Sequence, residues 1–301
     1  MEQDLTRLQK VFAKAERGEQ LTIGFIGGSI TQGCLASKPE YACAYRVYEW
    51  LQYKFPDADF TYINAGIGGT NSHFGAARVQ EDLLVYQPDL VFLDFTVNDD
   101  ATDFFGETYE GVVRQILLSE KAPALVPVYH IYYQNGMNAE RVHAKICRHY
   151  QLPVISMRPL YQKLLDGELE MEEMTADGLH PNDYGHRLVA DLIIEKLEAC
   201  MAEGKENRKE DACGKDRITA NAEIAAPLTA DQYEHAVRYN NRNCLPQMEG
   251  FASDTRIQAD ITDCFVKGWT AKENGARITF SAECTELAVQ YRRSLKKAPK
   301  A

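Results

Sequence analysis

Short apolar runs alternate with helix-like segments between residues 21 and 200, and this alternation limits the possible folds more than any other feature. Each run is short, rich in β-branched or aromatic residues and bounded by Gly, Pro or Asp, as strands buried on both faces are. The runs cover residues 21–26, 60–63, 90–93, 124–133 and 154–157. The helix-like segments cover residues 41–55, 76–86, 109–119, 139–150 and 183–201. This alternation predicts an α/β fold, with a parallel five-stranded sheet covered by helices on both faces.

The composition of the chain changes after residue 203. Residues 204–219 are polar and charged, which predicts a linker. Three later segments, at 256–261, 276–280 and 286–291, alternate apolar and polar residues as half-exposed strands do. We therefore predict a first domain over 1–203 and a small β-rich accessory domain over 220–301. The last predicted strand would leave an open sheet edge, so this domain either docks on the first domain or lacks later strands.

Charge and cysteine content limit the partners and the compartment. The net charge of −11 disfavours nucleic acids and anionic membranes as partners. No stretch approaches the roughly 18–20 apolar residues that span a bilayer, and the charged N-terminus predicts a short surface helix rather than a secretory signal. The eight cysteines form no C-x-x-C pair and have no histidine at zinc spacing, so we expect reduced thiols in a cytoplasmic protein. None of these features predicts the oligomeric state.

A serine follows the first predicted strand, in the sequence Gly27-Gly28-Ser29-Ile30-Thr31. Two glycines allow the backbone to turn sharply and leave the Ser29 N–H exposed at a strand-to-helix bend. A nucleophilic serine needs this placement, because its own amide can help to bind an oxyanion. A serine after two glycines is also a common helix cap, so this motif alone leaves both interpretations open.

A glycine-rich turn follows the second predicted strand, and an asparagine follows the third. The turn carries Gly66, Gly68 and Gly69. It could be a plain tight turn, a binding loop for a dinucleotide pyrophosphate, or a means of directing one amide at an oxyanion. Asn98 could donate its side-chain N–H into a site or simply begin a turn with Asp99.

An aspartate and a histidine three residues apart follow the last predicted strand, in Asp177-Gly178-Leu179-His180-Pro181. When such a segment turns, the carboxylate can hold the imidazole in one tautomer. A loop histidine with an ordinary hydrogen bond is the alternative for this motif alone.

The four motifs are more specific together than apart, because the carboxyl ends of parallel strands lie at one edge of a sheet. Their order along the chain supplies a serine, a glycine amide, an asparagine side chain and an Asp–His pair to that edge. The combination therefore predicts a nucleophile, a general base, a carboxylate that orients the base, and oxyanion donors in one site.

These motifs resemble, in order and spacing, the four blocks of the SGNH (GDSL-like) hydrolase family over residues 21–200. The resemblance implies a flavodoxin-like three-layer α/β/α fold and a serine esterase in which Ser29 attacks an ester carbonyl. It implies that His180 is the general base and that Asp177 orients it. The implied oxyanion donors are the backbone amides of Ser29 and Gly69 and the side chain of Asn98.

Two glycines within the motifs determine how far the resemblance can be transferred. Gly69 is preferred to Gly68 as the oxyanion donor, because the functional glycine of the family precedes the polar residues that begin the next helix. Gly28 stands where the common Gly-Asp-Ser pattern has aspartate. Some relatives share this Gly-Gly-Ser variant, so the nucleophile is retained, but the substrate class of the lipase-like members is not transferred.

The expected function is the hydrolysis of small acyl esters through an acyl-enzyme, with O-acetyl groups on carbohydrates as a candidate substrate class. That class rests on the breadth of the family and on the appended β-rich domain. No cofactor or metal is expected. Two alternatives remain open: a nucleotide-binding oxidoreductase that uses the Gly66 to Gly69 turn, and a non-catalytic carbohydrate-binding or scaffolding protein. The polar loop at residues 132–136 is a candidate lining of the acyl or alcohol pocket.

Overall fold

The computed structural model describes residues 3–211, 224–255 and 267–292. Within these ranges the central element is a parallel sheet of five strands. The strands are β1 (Gln20–Gly27), β2 (Asp59–Gly66), β3 (Leu90–Asp94), β4 (Ala124–Tyr129) and β5 (Ile155–Ser156). Their order across the sheet is β2-β1-β3-β4-β5. This is the flavodoxin-like order, so the predicted α/β fold is confirmed.

Helices cover both faces of the sheet. They are α1 (Thr6–Glu16), α2 (Ser29–Gln32), α3 (Cys43–Lys54), α4 (Ser72–Asp82), α5 (Asp103–Leu118), α6 (Glu140–His149), α7 (Arg158–Leu165), α8 (Met171–Met174) and α9 (Asp183–Asp211). Alternate strand residues point to opposite faces. Phe25 and Phe92 therefore pack in one buried cluster with residues of α1, α3 and α9. Val91 and Leu93 pack in a second cluster with residues of α4, α5 and α6.

Polar caps fix the start of two helices at the carboxyl edge of the sheet. The Asn71 side chain accepts a hydrogen bond from the Phe74 N–H at 3.2 Å, before the first turn of α4. The Thr102 hydroxyl accepts from the Phe105 N–H at 3.4 Å and begins α5 in the same way. Because capping side chains satisfy otherwise unpaired first-turn amides, both helices begin four to six residues before their predicted apolar periodicity.

The N-terminal helix differs from the surface helix that the sequence predicts. One face of α1, with Leu8, Val11 and Phe12, is at most 5% exposed. These side chains pack in the same cluster as Phe25, so α1 is part of the helical layer on that face of the sheet.

A segment at residues 224–237 packs against α5. Glu110 on α5 is fully buried and accepts hydrogen bonds from the backbone N–H groups of Leu228 and Thr229, both at 2.7 Å. The Glu110 carboxylate also accepts a hydrogen bond from the Tyr150 hydroxyl at 2.6 Å. The backbone of the 224–237 segment is therefore bound by a buried carboxylate that belongs to the sheet-and-helix unit.

The domain boundaries differ from the predicted ones for this reason. The first compact unit runs to Val237, and the second begins at Arg238 rather than at residue 220. Helix α9 continues to Asp211, into the segment predicted as a linker. The rest of that segment, at 212–219, lies outside the described residues.

The second unit, Arg238–Ala301, is β-rich in its described part. Its strands are β6 (Gln247–Glu249), β7 (Phe251–Ser253), β8 (Trp269–Ala271) and β9 (Arg277–Thr279). β6 pairs with β9 and β7 with β8, both antiparallel. The strand predicted at 276–280 is confirmed by β9, and the one predicted at 256–261 lies outside the described residues. The strand predicted at 286–291 is wrong: Leu287, Val289 and Tyr291 are 66–76% exposed, and none of the described strands pairs with this segment.

Over the described ranges, none of the helices has the length and apolar content required to cross a bilayer. The cysteines found in the same ranges, at positions 34, 43, 147, 200, 244 and 284, are all free thiols. Burial raises the pKa of the Cys43 thiol to about 12 and that of Cys147 to about 11, because an apolar environment disfavours the thiolate.

Candidate active site

Ser29 occupies the bend between β1 and α2. Strand β1 ends at Gly27, and Ser29 is the first residue of α2. At this position its N–H has no acceptor within the helix, and no other described residue accepts a hydrogen bond from it. The structure therefore has the strand-to-helix bend and the available amide that the sequence predicts.

The side chains of Ser29, His180 and Asp177 form a continuous hydrogen-bonded chain. Ser29 Oγ lies 2.8 Å from His180 Nε2. His180 Nδ1 lies 2.6 Å from Asp177 Oδ2. A carboxylate can only accept, so Nδ1 carries the proton and donates it, which leaves Nε2 of the neutral ring to accept from the serine hydroxyl. A general base beside a serine nucleophile requires this tautomer.

The Asp177 carboxylate is held by its own loop. Its Oδ1 accepts hydrogen bonds from the backbone N–H groups of Leu179 at 3.0 Å and His180 at 2.8 Å, and from the Thr175 hydroxyl at 3.2 Å. Partial burial acts to raise the pKa of Asp177, but the hydrogen bonds from the His180 ring and from these two N–H groups outweigh it and lower the pKa to about 2. Asp177 is therefore ionised at neutral pH and can stabilise a positive charge on His180.

The two candidate glycine amides after β2 have different environments. The Gly68 N–H donates to Gln32 Oε1 on α2 at 2.7 Å. The Gly69 N–H has no acceptor among the described residues, and Gly69 adopts a positive φ of 71°. An amide N–H that already donates to a side chain is not available to substrate. This difference favours Gly69 over Gly68 as the oxyanion donor.

The same turn lies directly against the loop that holds Ser29. The Ile67 N–H donates to Gly27 O at 3.1 Å. A Cβ on Gly66 would lie 2.3 Å from Gln32 N, so the backbone of α2 fills the space above this glycine. A dinucleotide pyrophosphate needs that space, and the oxidoreductase alternative therefore has no structural support here.

Asn98 lies against the peptide that precedes Ser29. A Cβ on Gly28 would lie 2.1 Å from Asn98 Oδ1 and 3.2 Å from Asn98 Nδ2. Among the described residues, Asn98 Oδ1 is buried without a partner and Asn98 Nδ2 has no acceptor. The loop itself is fixed, because the N–H groups of Asn98 and Asp99 both donate to Phe95 O at 3.0 Å.

The structure thus joins three predicted site residues directly and places two beside them. Ser29, His180 and Asp177 are hydrogen-bonded to one another. Asn98 contacts Gly28, the residue before Ser29. Gly69 belongs to the turn that is hydrogen-bonded to Gly27 and Gln32. Each of the three predicted oxyanion donors has an N–H group that is not used by another described residue.

A buried polar cluster lies beside α2, and none of the four sequence motifs indicates it. Asp94, the last residue of β3, accepts a hydrogen bond from the Thr31 hydroxyl at 3.2 Å, and its Oδ2 lies 3.7 Å from His130 Nε2. Burial raises the pKa of Asp94 and lowers that of His130. The one available signal was an acidic residue at the end of an apolar strand, because the partners of Asp94 come from distant parts of the chain.

The polar loop after β4 contacts the loop that carries the Asp–His pair. The Gln134 N–H donates to Gly178 O at 3.1 Å. A Cβ on Gly178 would lie 2.9 Å from Gln134 Cβ, so the two loops are in close contact. The role of this loop in lining a substrate pocket stays a prediction. In the part of the chain that the structure covers, no cluster of three or more His, Cys, Asp or Glu side chains could hold a metal ion.

Comparisons with known proteins give consistent results. Residues 25–188 match the GDSL-like Lipase/Acylhydrolase family. The chain is 28% identical over 145 residues to Thioesterase 1/protease 1/lysophospholipase L1 of Escherichia coli (strain K12), which covers 45% of this chain and 66% of that relative.

Solved structures of one esterase are similar over most of the chain. A two-domain esterase (CEX) active on acetylated mannans, co-crystallised with mannopentaose, superposes with a TM-score of 0.81 and 47% identity, over 91% of this chain and 70% of that one. A second structure of the esterase gives a TM-score of 0.80 and 71% coverage of its chain. The family match spans more than half of the chain and includes the loops that carry Ser29, Asn98 and His180. The chain therefore belongs to the GDSL-like lipase/acylhydrolase family.

Proposed function

We propose that this chain is a serine esterase that hydrolyses small acyl esters, with O-acetyl groups on carbohydrates as its substrate class. The observation that carries the proposal is the hydrogen-bonded chain from Ser29 Oγ through His180 to Asp177, with distances of 2.8 and 2.6 Å. A serine, a base and an orienting carboxylate within hydrogen-bond distance are the arrangement that nucleophilic catalysis requires.

Acylation begins with proton transfer from the Ser29 hydroxyl to His180 Nε2. As the O–H bond breaks, Ser29 Oγ forms a bond to the acyl carbon, and the electron pair of the carbonyl moves onto its oxygen. The ionised Asp177 carboxylate, whose pKa is lowered to about 2, stabilises the imidazolium that results. The carbonyl then re-forms as the bond between the acyl carbon and the alcohol oxygen breaks. His180 gives its proton to that oxygen, the alcohol departs, and the acyl-enzyme remains.

Three N–H groups are available to the oxyanion: the amides of Ser29 and Gly69 and the side chain of Asn98. None of them is used by another described residue. Donors that are already oriented towards the developing charge need little reorganisation, and one such donor contributes about 2.7–4 kcal/mol to transition-state stabilisation.

Deacylation repeats these steps with water in place of the serine. His180 Nε2 takes a proton from water, the water oxygen attacks the acyl carbon, and the bond to Ser29 Oγ breaks. The proton on His180 returns to Ser29 Oγ, so the enzyme is regenerated and the carboxylic acid is released.

The substrate class is supported by the solved relatives. The esterase that is 47% identical over 91% of this chain is active on acetylated mannans, and one of its structures was obtained with mannopentaose. An acetyl group on a sugar hydroxyl is a small acyl ester, which fits the proposed chemistry. We therefore propose acetylated carbohydrates, with acetylated mannans as the first to test.

The test compares the wild-type chain with Ser29→Ala. We expect the wild-type chain to release acetate from acetylated manno-oligosaccharides, to react with a fluorophosphonate probe, and to hydrolyse nitrophenyl acetate faster than the butyrate and octanoate. Ser29→Ala should lose both turnover and labelling while its circular dichroism spectrum is unchanged.

Ser119→Ala is the matched control for the probe. Ser119 is the residue at the end of α5, and its hydroxyl donates a hydrogen bond to Ile116 O at 2.8 Å. This variant should label as the wild-type chain does. An unlabelled wild-type chain would contradict the proposed function and would leave the non-catalytic carbohydrate-binding alternative. A Ser29→Ala variant with wild-type turnover would contradict the assignment of Ser29 as the nucleophile.

The proposed compartment is the cytoplasm, on the ground that the cysteines in the described ranges are free thiols. Lysis of the cells in a denaturant that contains an alkylating agent, followed by mass spectrometry, tests it. Alkylation of all eight cysteines before any reductant is added is the expected result, and a protected disulfide pair would contradict it.

A further inference from the structure

Asp99 and His143 form a buried pair that takes no part in the proposed reaction. The side chains of both residues are fully buried, and His143 Nε2 lies 2.9 Å from Asp99 Oδ2. A buried carboxylate is costly unless it is paired and hydrogen-bonded. Neither residue touches Ser29 or His180 through a hydrogen bond, so the pair needs an explanation other than proton transfer to the substrate.

The Asp99 carboxylate connects the two loops that carry oxyanion donors. Asp99 directly follows Asn98, and its Oδ1 accepts a hydrogen bond from the Ser72 N–H at 2.8 Å. Ser72 is the first residue of α4 and closes the loop that contains Gly69. The first-turn amides of a helix are unpaired and carry partial positive charge, so a carboxylate bound there is stabilising. One side chain thus fixes the loop of Asn98 against the loop of Gly69.

His143 holds this carboxylate from a third element. It lies on α6, and its ring stacks on Tyr109 of α5 with ring centroids 3.7 Å apart and an interplanar angle of 8°. The ring cannot shift without losing this stack. Its Nδ1 is buried and has no partner among the described residues, so a proton there would be an unpaired donor. His143 Nε2 therefore carries a proton and donates it to Asp99.

We infer that Asp99 and His143 are positioning residues that set the spacing between the Asn98 side-chain amide and the Gly69 amide. This inference rests on the proposed function. The transition state needs donors near 2.7–3.1 Å from the oxyanion, so a small relative shift of the two loops weakens both contacts together. The ground-state ester carbonyl makes weaker contacts with these donors, so the loss falls on kcat rather than on KM.

The experiment uses two substitutions of His143. His143→Phe keeps an aromatic ring against Tyr109 and removes the Nε2–H donor. His143→Gln places an amide N–H near the former Nε2 position and can still donate to Asp99. With nitrophenyl acetate we expect kcat to fall about 10- to 100-fold in His143→Phe, less than the ~10²–10³ that loss of a whole donor causes, and KM to change less than 3-fold. His143→Gln should recover most of the lost kcat.

Further readouts separate positioning from a structural role. Among the described residues, the Tyr109 hydroxyl has a hydrogen-bond partner only in the Cys147 sulfur, at 3.7 Å. Tyr109→Phe removes this hydroxyl but keeps the stack and the Asp99 contact, so it should keep wild-type kcat. Val112→Ala in the α5 core is chosen to lower Tm as much as His143→Phe does, and it should also keep wild-type kcat. The pH profile of kcat/KM in His143→Phe should keep its shape at a lower plateau, because His180 and Asp177 are untouched.

Each variant has an outcome that would overturn the positioning role of the Asp99–His143 pair. Wild-type kcat in a folded His143→Phe overturns the positioning role, as does an equal kcat loss in Val112→Ala. A His143→Gln variant that folds but is as slow as His143→Phe overturns the role of the Nε2–H donor. Labelling of wild-type Ser29 by the fluorophosphonate is measured alongside, because its absence would overturn the proposed function itself.

Discussion

The backbone of Gly28 approaches Asn98 so closely that a Cβ at residue 28 would lie 2.1 Å from Asn98 Oδ1. Gly28 has φ −89°, a value open to any residue, so the space and not the backbone conformation requires glycine here. Gly69 is the opposite case: its φ of 71° favours glycine, while nothing lies within 4 Å of an added Cβ. In this chain the aspartate of the common Gly-Asp-Ser pattern would have to displace the Asn98 side chain.

Gly28→Ala should therefore lower kcat by moving the Asn98 amide away from the oxyanion. We expect a loss of about 10- to 100-fold, approaching the ~10²–10³ expected for Asn98→Ala, with little change in Tm. The double variant is the decisive measurement. If the new methyl group acts through Asn98, Gly28→Ala adds no further loss in the Asn98→Ala background. Additive losses in kcat would show that Gly28 acts through another group.

The Asp177 carboxylate is predicted to determine the tautomer of His180. In Asp177→Asn the amide N–H₂ can face His180 Nδ1, which then accepts a hydrogen bond rather than donating one. The ring proton therefore moves to Nε2, and the ring cannot take the Ser29 proton. We expect kcat to fall by about 10⁴-fold, as is typical for a carboxylate in this role. Asp166→Asn makes the same charge change at an exposed helix end and should keep wild-type kcat. A loss below about 10-fold in Asp177→Asn would contradict this role.

Most of the sheet could be predicted from the sequence because strands buried on both faces require nearly continuous apolar runs. The limits of that signal are visible after β4. The apolar run continues to Tyr133, but the strand ends at Tyr129. Ile131 and Tyr133 are at most 3% exposed and pack into the core from a loop. The apolar residues therefore indicate that these positions are buried, whereas the end of the strand depends on backbone hydrogen bonds to a neighbouring strand.

The site could be predicted to the extent that its parts are local in sequence. Asp177 and His180 are three residues apart, and Ser29 follows a strand end directly. The supporting contacts are not local. Asp99 and His143 are 44 residues apart, and Glu110 and Leu228 are 118 residues apart. Such pairs depend on how whole elements pack, and no short pattern in one sequence indicates them.

The 224–237 segment is predicted to depend on the buried Glu110 carboxylate. In Glu110→Gln one oxygen becomes an N–H₂ group that faces a backbone N–H of Leu228 or Thr229, so one hydrogen bond is replaced by two opposed donors. We expect the free energy of unfolding to fall by about 1–3 kcal/mol and limited proteolysis to cut within the segment sooner. Glu107→Gln is the matched control on the same helix, because among the described residues Glu107 accepts one longer hydrogen bond, from the Gln232 N–H at 3.3 Å. Equal effects in the two variants would contradict the special role of Glu110.

Stability in mild acid is predicted to depend on His186, whose side chain is buried between α9 and the loop after α2. Its Nε2–H donates to Cys34 O at 3.0 Å, and its Nδ1 accepts from the Cys43 N–H at 3.2 Å. Burial lowers the pKa of His186 from 6.5 to about 4, although the bond to Cys34 acts to raise it. A proton on Nδ1 would also remove the bond from Cys43.

Protonation of His186 in the unfolded chain makes the folded protein less stable as the pH falls. Between pH 6.5 and 4 the unfolded chain binds a proton at His186 that the folded chain does not, so the stabilisation is complete above pH 6.5 and decreases as the pH falls towards 4. The contribution is about 3 kcal/mol over this window. In His186→Asn, urea unfolding should give a lower free energy at pH 7 and a shallower decrease between pH 6.5 and 4. The control is His235→Asn at an exposed position, and the prediction is wrong if His186→Asn keeps the wild-type slope.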